Sequence, residues 1–469
     1  MDSSKDVFVI GAGPAGLAAT YSLRHKNIPV KCFETDRVVG GISRTVAYKG
    51  YRFDIGGHRF FTKIQAVNDL WREILGDDFL KRPRISRIYY NGKFFYYPLQ
   101  AMNAFFGLGP LGAIRVFSSY LKARIQPHPN EITFEHWVSN RFGAELYNTF
   151  FKTYTEKVWG IPCSEIQAEW AAQRIKGLSL YSAIMNALFK PKRVIKTLID
   201  EFEYPRLGPG QMYEAMAEKA ARNGATFCME HKINEIHHVD ERIKGVTWVN
   251  KDQSHFEPAT HFISTMPITS LISSLSPEPP CDVINAARSL KYRSLLTVNL
   301  LIDQPEFLPD TWIYVHDPAV RMGRIQCFAN WSPYMVPNEN SSSRGLEYFC
   351  WEGGQLWSRS DDDLIELGKQ ELSKLGLVDP QNIIDGFVIR MAKCYPVYDS
   401  DYKKHLSVIK DYLSRFRNLY LCGRYGLFKY NNMDHSIVTA LMAAENVLGA
   451  QHDVWSVNAD DDYQEELSN

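Results

Sequence analysis

Val7-Phe8-Val9-Ile10 is an uninterrupted apolar run, the pattern of a strand buried on both faces. It enters Gly11-Ala12-Gly13-Pro14-Ala15-Gly16 and a helical stretch to about Leu23; a second apolar run, Pro29 to Phe33, then ends at Glu34. Strand, turn, helix and strand in this order predict a βαβ unit opening a doubly wound sheet. Thr226 to Cys228, Lys232 to Ile236, Lys244 to Trp248 and His261 to Thr265 read as later short strands. Leu419 to Gly423 reads as a further return, followed by a helix from about His435 to Leu448. Residues from about 96 to 205 look mainly helical, and those from about 275 to 400 mix strand-like alternation with two helical stretches. The expected class is therefore α/β, with a discontinuous Rossmann-like domain assembled from residues 1–95, 206–272 and 405–452. A helical insertion at 96–205 and a mixed, sheet-containing region at 273–404 interrupt it, and 453–469 form a solvated acidic tail.

Composition changes this picture only by exclusion. Hydrophobic residues make up 45% and charged residues 23% of 469, the balance of an ordinary globular protein. Lys+Arg and Asp+Glu both number 53, so no whole-molecule basic field exists to grip nucleic acid. Eight cysteines are scattered with no CxxC spacing, which argues against a zinc knuckle, a redox dithiol or a disulfide framework. The first residues lead straight into a strand without a secretory signal pattern, and Ala104 to Ile114, the most apolar surface candidate, is about half the ~20 residues of a membrane span. A reducing, cytoplasmic compartment is expected.

Gly11, Gly13 and Gly16 fit G-x-G-x-x-G between a strand and a helix. The glycines permit a tight turn and close approach of a pyrophosphate, and the helix N-terminus supplies N–H groups and partial positive charge. Glu34, 23 residues after Gly11, stands where a carboxylate accepts from ribose hydroxyls. Beyond it, Arg37-Val38-Val39-Gly40-Gly41-Ile42-Ser43-Arg44 resembles the R-x-x-G-G segment of flavoproteins in the amine oxidase and protoporphyrinogen oxidase superfamily. That resemblance implies FAD. It assigns cofactor contacts to Gly11, Gly13, Gly16, Glu34, Arg37, Gly41, Gly56, Gly57, Gly423, Arg424, Met433, Asp434 and Ser436. Asp434 is expected to cap the last helix, whose dipole would stabilise negative charge on the reduced ring.

Two arginines stand out from local pattern. Ser164 and Gln167 form an S-x-x-Q capping box, and on the helix it predicts Ile166, Trp170 and Arg174 share one face. Arg174 on an apolar face either snorkels to water or meets an anion. Arg324 opens a predicted strand whose alternation puts Arg324, Gln326, Phe328 and Asn330 on one face, either solvent or a polar cleft.

Four separated segments then resemble the UDP-galactopyranose mutase family of flavoenzymes. They are Gly56-Gly57-His58-Arg59-Phe60-Phe61, Tyr154-Thr155-Glu156-Lys157-Val158-Trp159-Gly160, Gly323 through Pro333, and Gly423 through Tyr430. The resemblance implies interconversion of the pyranose and furanose forms of a UDP-hexose such as UDP-galactose, with N5 of reduced FAD as nucleophile at the anomeric carbon. Arg174 and Arg324 match the pair that binds the substrate diphosphate, and His58 matches a histidine near N5. Tyr154, Trp159, Asn330, Tyr395, Tyr430 and Gln100 correspond to further substrate contacts. NADPH or NADH is a candidate reductant, and self-association is open. The stretch Tyr204 to Met212 resembles the superfamily's oxidases and desaturases as much as its mutases. An FAD oxidase or desaturase, or a flavoenzyme acting on another nucleotide sugar, is the alternative.

Overall fold

The predicted first strand is Val7–Ile10, and every residue of it is buried. It lies at the centre of a five-stranded parallel sheet, ordered Leu419–Leu421, His261–Ser264, Val7–Ile10, Val30–Phe33, Thr226–Cys228. The structure is a computed structural model that describes residues 5–97, 99, 101–168, 201–251 and 253–458. Both faces of the parallel sheet are covered, which is why its strands read as near-continuous apolar runs. Helices Pro14–His25, Pro209–Arg222 and Met433–Val447 pack one face through Leu17, Met212, Met216, Ile437 and Ala440. The other face meets Ile236, Val246, Leu271 and Leu413, carried by a mixed four-stranded sheet and by helices Ile268–Ser274 and Tyr402–Leu413.

A second, seven-stranded sheet forms the wall opposite the nucleotide domain. Its order is Ile383–Pro396, Tyr292–Ile302, Ser342–Cys350, Arg324–Gln326, Trp312–Val315, Ser86–Tyr90, Lys93–Tyr96. The last two strands come from before residue 97, so part of the segment expected in the nucleotide domain extends the second sheet instead. All eleven residues of Tyr292–Ile302 and all nine of Ser342–Cys350 are buried. In the helical insertion, Ala101–Ile125, Phe134–Phe142 and Thr153–Trp159 are helices, and Thr133 caps the second by accepting from the His136 N–H.

Three local expectations are corrected. Ser164 and Gln167 do not form a capping box: Gln167 pairs with Thr133 in an isolated bridge, and the Phe134 and Ala168 N–H groups bond the Ile166 and Ile132 carbonyls. Extended pairing thus holds the chain at Ile166 to Ala168 in a conformation that a capping box does not allow. The last helix is preceded by Asn432, and Asp434 sits within its first turn, accepting from the His435 N–H. The strand begun at Arg324 stops at Gln326, and Phe328–Trp331 is a single helical turn. Its alternation therefore ends before Asn330.

Candidate active site

The nucleotide cradle follows from backbone geometry. Gly11 has φ +99°, and a Cβ there would lie 2.2 Å from Thr265 Oγ1; at Gly16 a Cβ would lie 1.7 Å from the Gly11 carbonyl oxygen. Gly13 and Gly41 meet backbone to backbone: a Cβ on Gly13 would lie 3.9 Å from the Gly41 Cα, and one on Gly41 would lie 3.3 Å from the Gly13 Cα. Two glycine-rich stretches thus leave a channel of main chain at the N-terminus of Pro14–His25. Glu34 accepts from the Ala12 N–H at 2.7 Å and the Asp36 N–H at 2.9 Å, fixing its carboxylate at the mouth of the turn with lone pairs to spare. Arg37 is a surface residue, its side chain 83% exposed and paired with Glu230. The inward arginine of this segment is Arg44, which pairs with Asp36 and reaches the Met391 sulfur at 4.0 Å. Gly423 donates its N–H to Thr439, while Met433, Asp434 and Ser436 are buried in the first turn of the last helix.

Across from this cradle, the Gly56-Gly57-His58 loop rests on the second sheet. A Cβ on Gly56 would lie 3.7 Å from Glu347 Oε1, and one on Gly57 would lie 3.1 Å from Gln326 Nε2. Glu347 is fully buried. Its Oε2 accepts from Arg324 Nε at 2.9 Å and is ion-paired with Nη2 at 2.6 Å, and its Oε1 accepts from Gln326 Nε2 at 2.6 Å. Arg324 Nη2 also donates to the Tyr395 hydroxyl at 3.1 Å. Burial works against the Arg324 charge, but Glu347 beside it raises its pKa well above the ordinary value. Arg424 stacks over the same tyrosine at 5.0 Å and over Tyr430 at 4.2 Å; its Nε donates to the Cys394 carbonyl at 2.7 Å. Trp159 lies 6.1 Å from Tyr430, and Tyr154 stacks on His316 at 4.9 Å. Burial, then Arg424, push the His58 imidazole down to about 4, so it is neutral at pH 7; its Nδ1 is shielded from solvent without a hydrogen bond.

His58, Tyr154, Trp159, Arg324, Tyr395, Arg424 and Tyr430 are therefore brought into one neighbourhood. Asn330 is not: its Nδ2 donates to the Leu308 and Asp310 carbonyls, both at 2.7 Å, which pins a loop. Arg174 and Gln100 lie outside the described residues. Sequence reasoning missed Glu347 and Arg293. Glu347 is the lone acid in the apolar run Gly345 to Cys350, and Arg293 a lone cation opening another apolar strand. Such a charge needs a partner. Arg293 donates to the Phe349, Val158 and Lys157 carbonyls at 2.6, 3.2 and 3.3 Å, fastening the C-terminus of Thr153–Trp159 to the sheet that carries Glu347.

The lysine of the Tyr154 to Gly160 motif is a tie. Its Nζ donates to the Val315, Asp317 and Met322 carbonyls at 3.1, 2.7 and 3.1 Å. Lys157→Met should lower stability by about 3 kcal/mol or more, because the carbonyls lose a charged donor. Burial holds this ammonium down to about 8, against 10.5 unperturbed. Between those values the unfolded chain binds the proton more tightly, so wild-type stability rises with pH there, and the variant should lack that rise. Urea unfolding across pH 7.5 to about 10.5 measures both; unchanged stability would remove the tie from the account.

The profile of flavin containing amine oxidoreductases matches residues 14–448. Among solved structures, the fold superposes on a reduced UDP-galactopyranose mutase with a TM-score of 0.84 at 22% identity, covering 97% of this chain and 98% of that one. A 1-hydroxycarotenoid 3,4-desaturase of Flavobacterium sp. (strain P99-3) is 24% identical over 52% of this chain and 53% of its own length. A probable UDP-galactopyranose mutase of Klebsiella pneumoniae is 28% identical over 35% of this chain and 44% of its own. The chain thus spans about half the length of these curated relatives or less. The glycine channel, the helix N-terminus and Glu34 fit the adenine dinucleotide part of FAD. With 435 consecutive residues inside the matched profile, the chain belongs to the flavin-containing amine oxidoreductase family.

Proposed function

We propose that this flavoprotein is a nucleotide-sugar mutase that interconverts the pyranose and furanose forms of a UDP-hexose such as UDP-galactose. The observation that carries the reading is the convergence of Arg324 and Arg424 on the Tyr395–Tyr430 pair beside the His58 loop. Amine or carotenoid oxidation gives no role to two guanidiniums and two phenols; a departing diphosphate does. Bound FAD, in its reduced form, would supply a nucleophilic N5 for the anomeric carbon.

The chain's own work is positioning. Arg324 is oriented by Glu347 through Nε and Nη2, which turns the remaining fork donors toward a phosphate oxygen. Tyr395 and Tyr430 add hydroxyl donors, with Arg424 as their cationic backing. Neutral His58 brings one N–H and one acceptor nitrogen to the site without a third positive charge. Tyr154 and Trp159 offer flat apolar faces to base and sugar. Arg174 as the second diphosphate arginine, Gln100 as a nucleoside contact and NADPH or NADH as reductant complete the proposal.

The test is to incubate UDP-galactopyranose with dithionite-reduced and with oxidised protein and to separate the sugar nucleotides. Furanose product from the reduced form only supports the mutase. The longer stretch matched by the hydroxycarotenoid desaturase favours a redox reading instead. Steady acceptor consumption with a dehydrogenated product would establish that reading and reject ours.

A further inference from the structure

Helix Ala101–Ile125 turns one face away from the rest of the protein. Gly109, at φ +75°, kinks it ahead of Pro110. On the segment beyond, Leu111, Ile114, Phe117, Leu121 and Ile125 are 73%, 65%, 54%, 44% and 77% exposed. At 100° per residue these five fall within an arc of roughly 120°. The opposite side is the packed one: Ser119 Oγ accepts from the Glu145 N–H at 3.0 Å, and a Cβ on Gly143 would lie 2.7 Å from the Tyr120 nitrogen. Ser118, the polar position inside the exposed arc, donates to the Arg115 carbonyl of its own helix at 3.0 Å. A continuous apolar stripe is thus left to solvent, which marks an interaction site where scattered single residues would not.

Charge identifies the partner. Arg115 and Lys122 border the arc on one side and Arg124 on the other, and all three are exposed. The chain has no Asp or Glu between Asp78 and Glu131, although acids and bases balance over its whole length. An acid-free, basic rim around an apolar stripe is the pattern of a helix lying in the interface of an anionic bilayer. No helix among the described residues is long and apolar enough to cross a membrane, so the contact is peripheral. We infer that residues 110–125 dock the protein on an anionic lipid surface, with the stripe at the acyl boundary and the three cations at the phosphates.

Full-length, flavin-loaded protein is to be sedimented with vesicles of phosphatidylcholine alone and with vesicles about one third phosphatidylglycerol, at rising salt. Binding is expected on the mixed vesicles at low salt, weakening as salt rises and weak on the neutral ones. Ile114→Asn with Leu121→Asn should abolish it. Arg115→Glu with Lys122→Glu should weaken it by about 25-fold or more, at roughly fivefold per cation, with the stripe intact. These side chains are exposed, so flavin content should match wild type and report folding. Failure of the wild-type protein to bind anionic vesicles overturns the inference, as does binding that neither variant pair changes. Self-association abolished by the Asn pair, without vesicle binding, assigns the stripe to a second copy and overturns it too.

Discussion

Arg324→Ala is expected to weaken UDP binding by at least about 100-fold and to destabilise the protein in the same stroke, while flavin still loads. The binding loss follows from removing two charge-assisted hydrogen bonds at roughly 1.5–3 kcal/mol each. The stability loss has a separate origin. Glu347 is fully buried and takes its charge balance from Arg324, so deleting the guanidinium strands a carboxylate inside the sheet, at a cost of about 3–5 kcal/mol. Adding Glu347→Gln removes the stranded charge. The double variant should recover most of the stability and none of the UDP affinity, which separates the binding role from the packing role. Arg324→Lys should keep the charge yet lose most of the affinity, because an ammonium cannot serve Glu347, Tyr395 and a phosphate together. Calorimetric titration with UDP and urea unfolding of the four proteins provide the readings. Unchanged affinity in Arg324→Ala removes this residue from the substrate site, and a double variant as unstable as the single one refutes the stranded-charge account.

Gly16→Ala and Gly13→Ala should fail in different ways although both lie in one fingerprint. At Gly16 the new Cβ would sit 1.7 Å from the Gly11 carbonyl oxygen, and no side-chain rotation relieves a clash with backbone. The turn between strand and helix must open, so both flavin retention and the thermal midpoint should fall, the latter by many degrees. At Gly13 the nearest atom to the new Cβ is 3.9 Å away, an ordinary contact, so the fold should survive. The methyl nonetheless covers the bare main chain that Gly13 and Gly41 line, and flavin retention should drop by an order of magnitude or more, since main chain must approach the pyrophosphate there. The ratio of flavin to protein absorbance, read beside a thermal melt, distinguishes the two. Equal flavin content in Gly13→Ala and wild type would move the pyrophosphate out of this channel.

The parallel sheet was legible because burial on both faces leaves nearly unbroken apolar strands, and its returns at His261–Ser264 and Leu419–Leu421 carry the same mark, whereas the edge strand Thr226–Cys228 has no buried residue. The pairing of Arg324 with Gln326 was legible from alternation, since both reach Glu347. Asn330 was not, because the chain coils into Phe328–Trp331 and periodicity of two no longer applies. The Ser164 box misled because a bridge to Thr133, distant in sequence, draws Gln167 into extended pairing. Glu347 and Arg293 escaped because a buried ion is recognised by its partner, and each partner lies on another strand or helix. A lone charge inside an apolar run is nevertheless a readable sign. So is Lys157: the motif marks it, but only three dimensions identify it as a tie between helix and loop.

The strand order of the nucleotide sheet has a consequence for how the protein is made. Strand Leu419–Leu421 borders His261–Ser264, and helix Met433–Val447 packs on Pro14–His25, so the first and last parts of the chain form one wall. Contacts so distant in sequence form late and slowly. While the segment before Leu419 is still being made, His261–Ser264 stands as an open sheet edge and Pro14–His25 presents a bare helix face, the kind of exposure that invites misassociation. The nucleotide cradle therefore gains its last wall only once Met433–Val447 has been made.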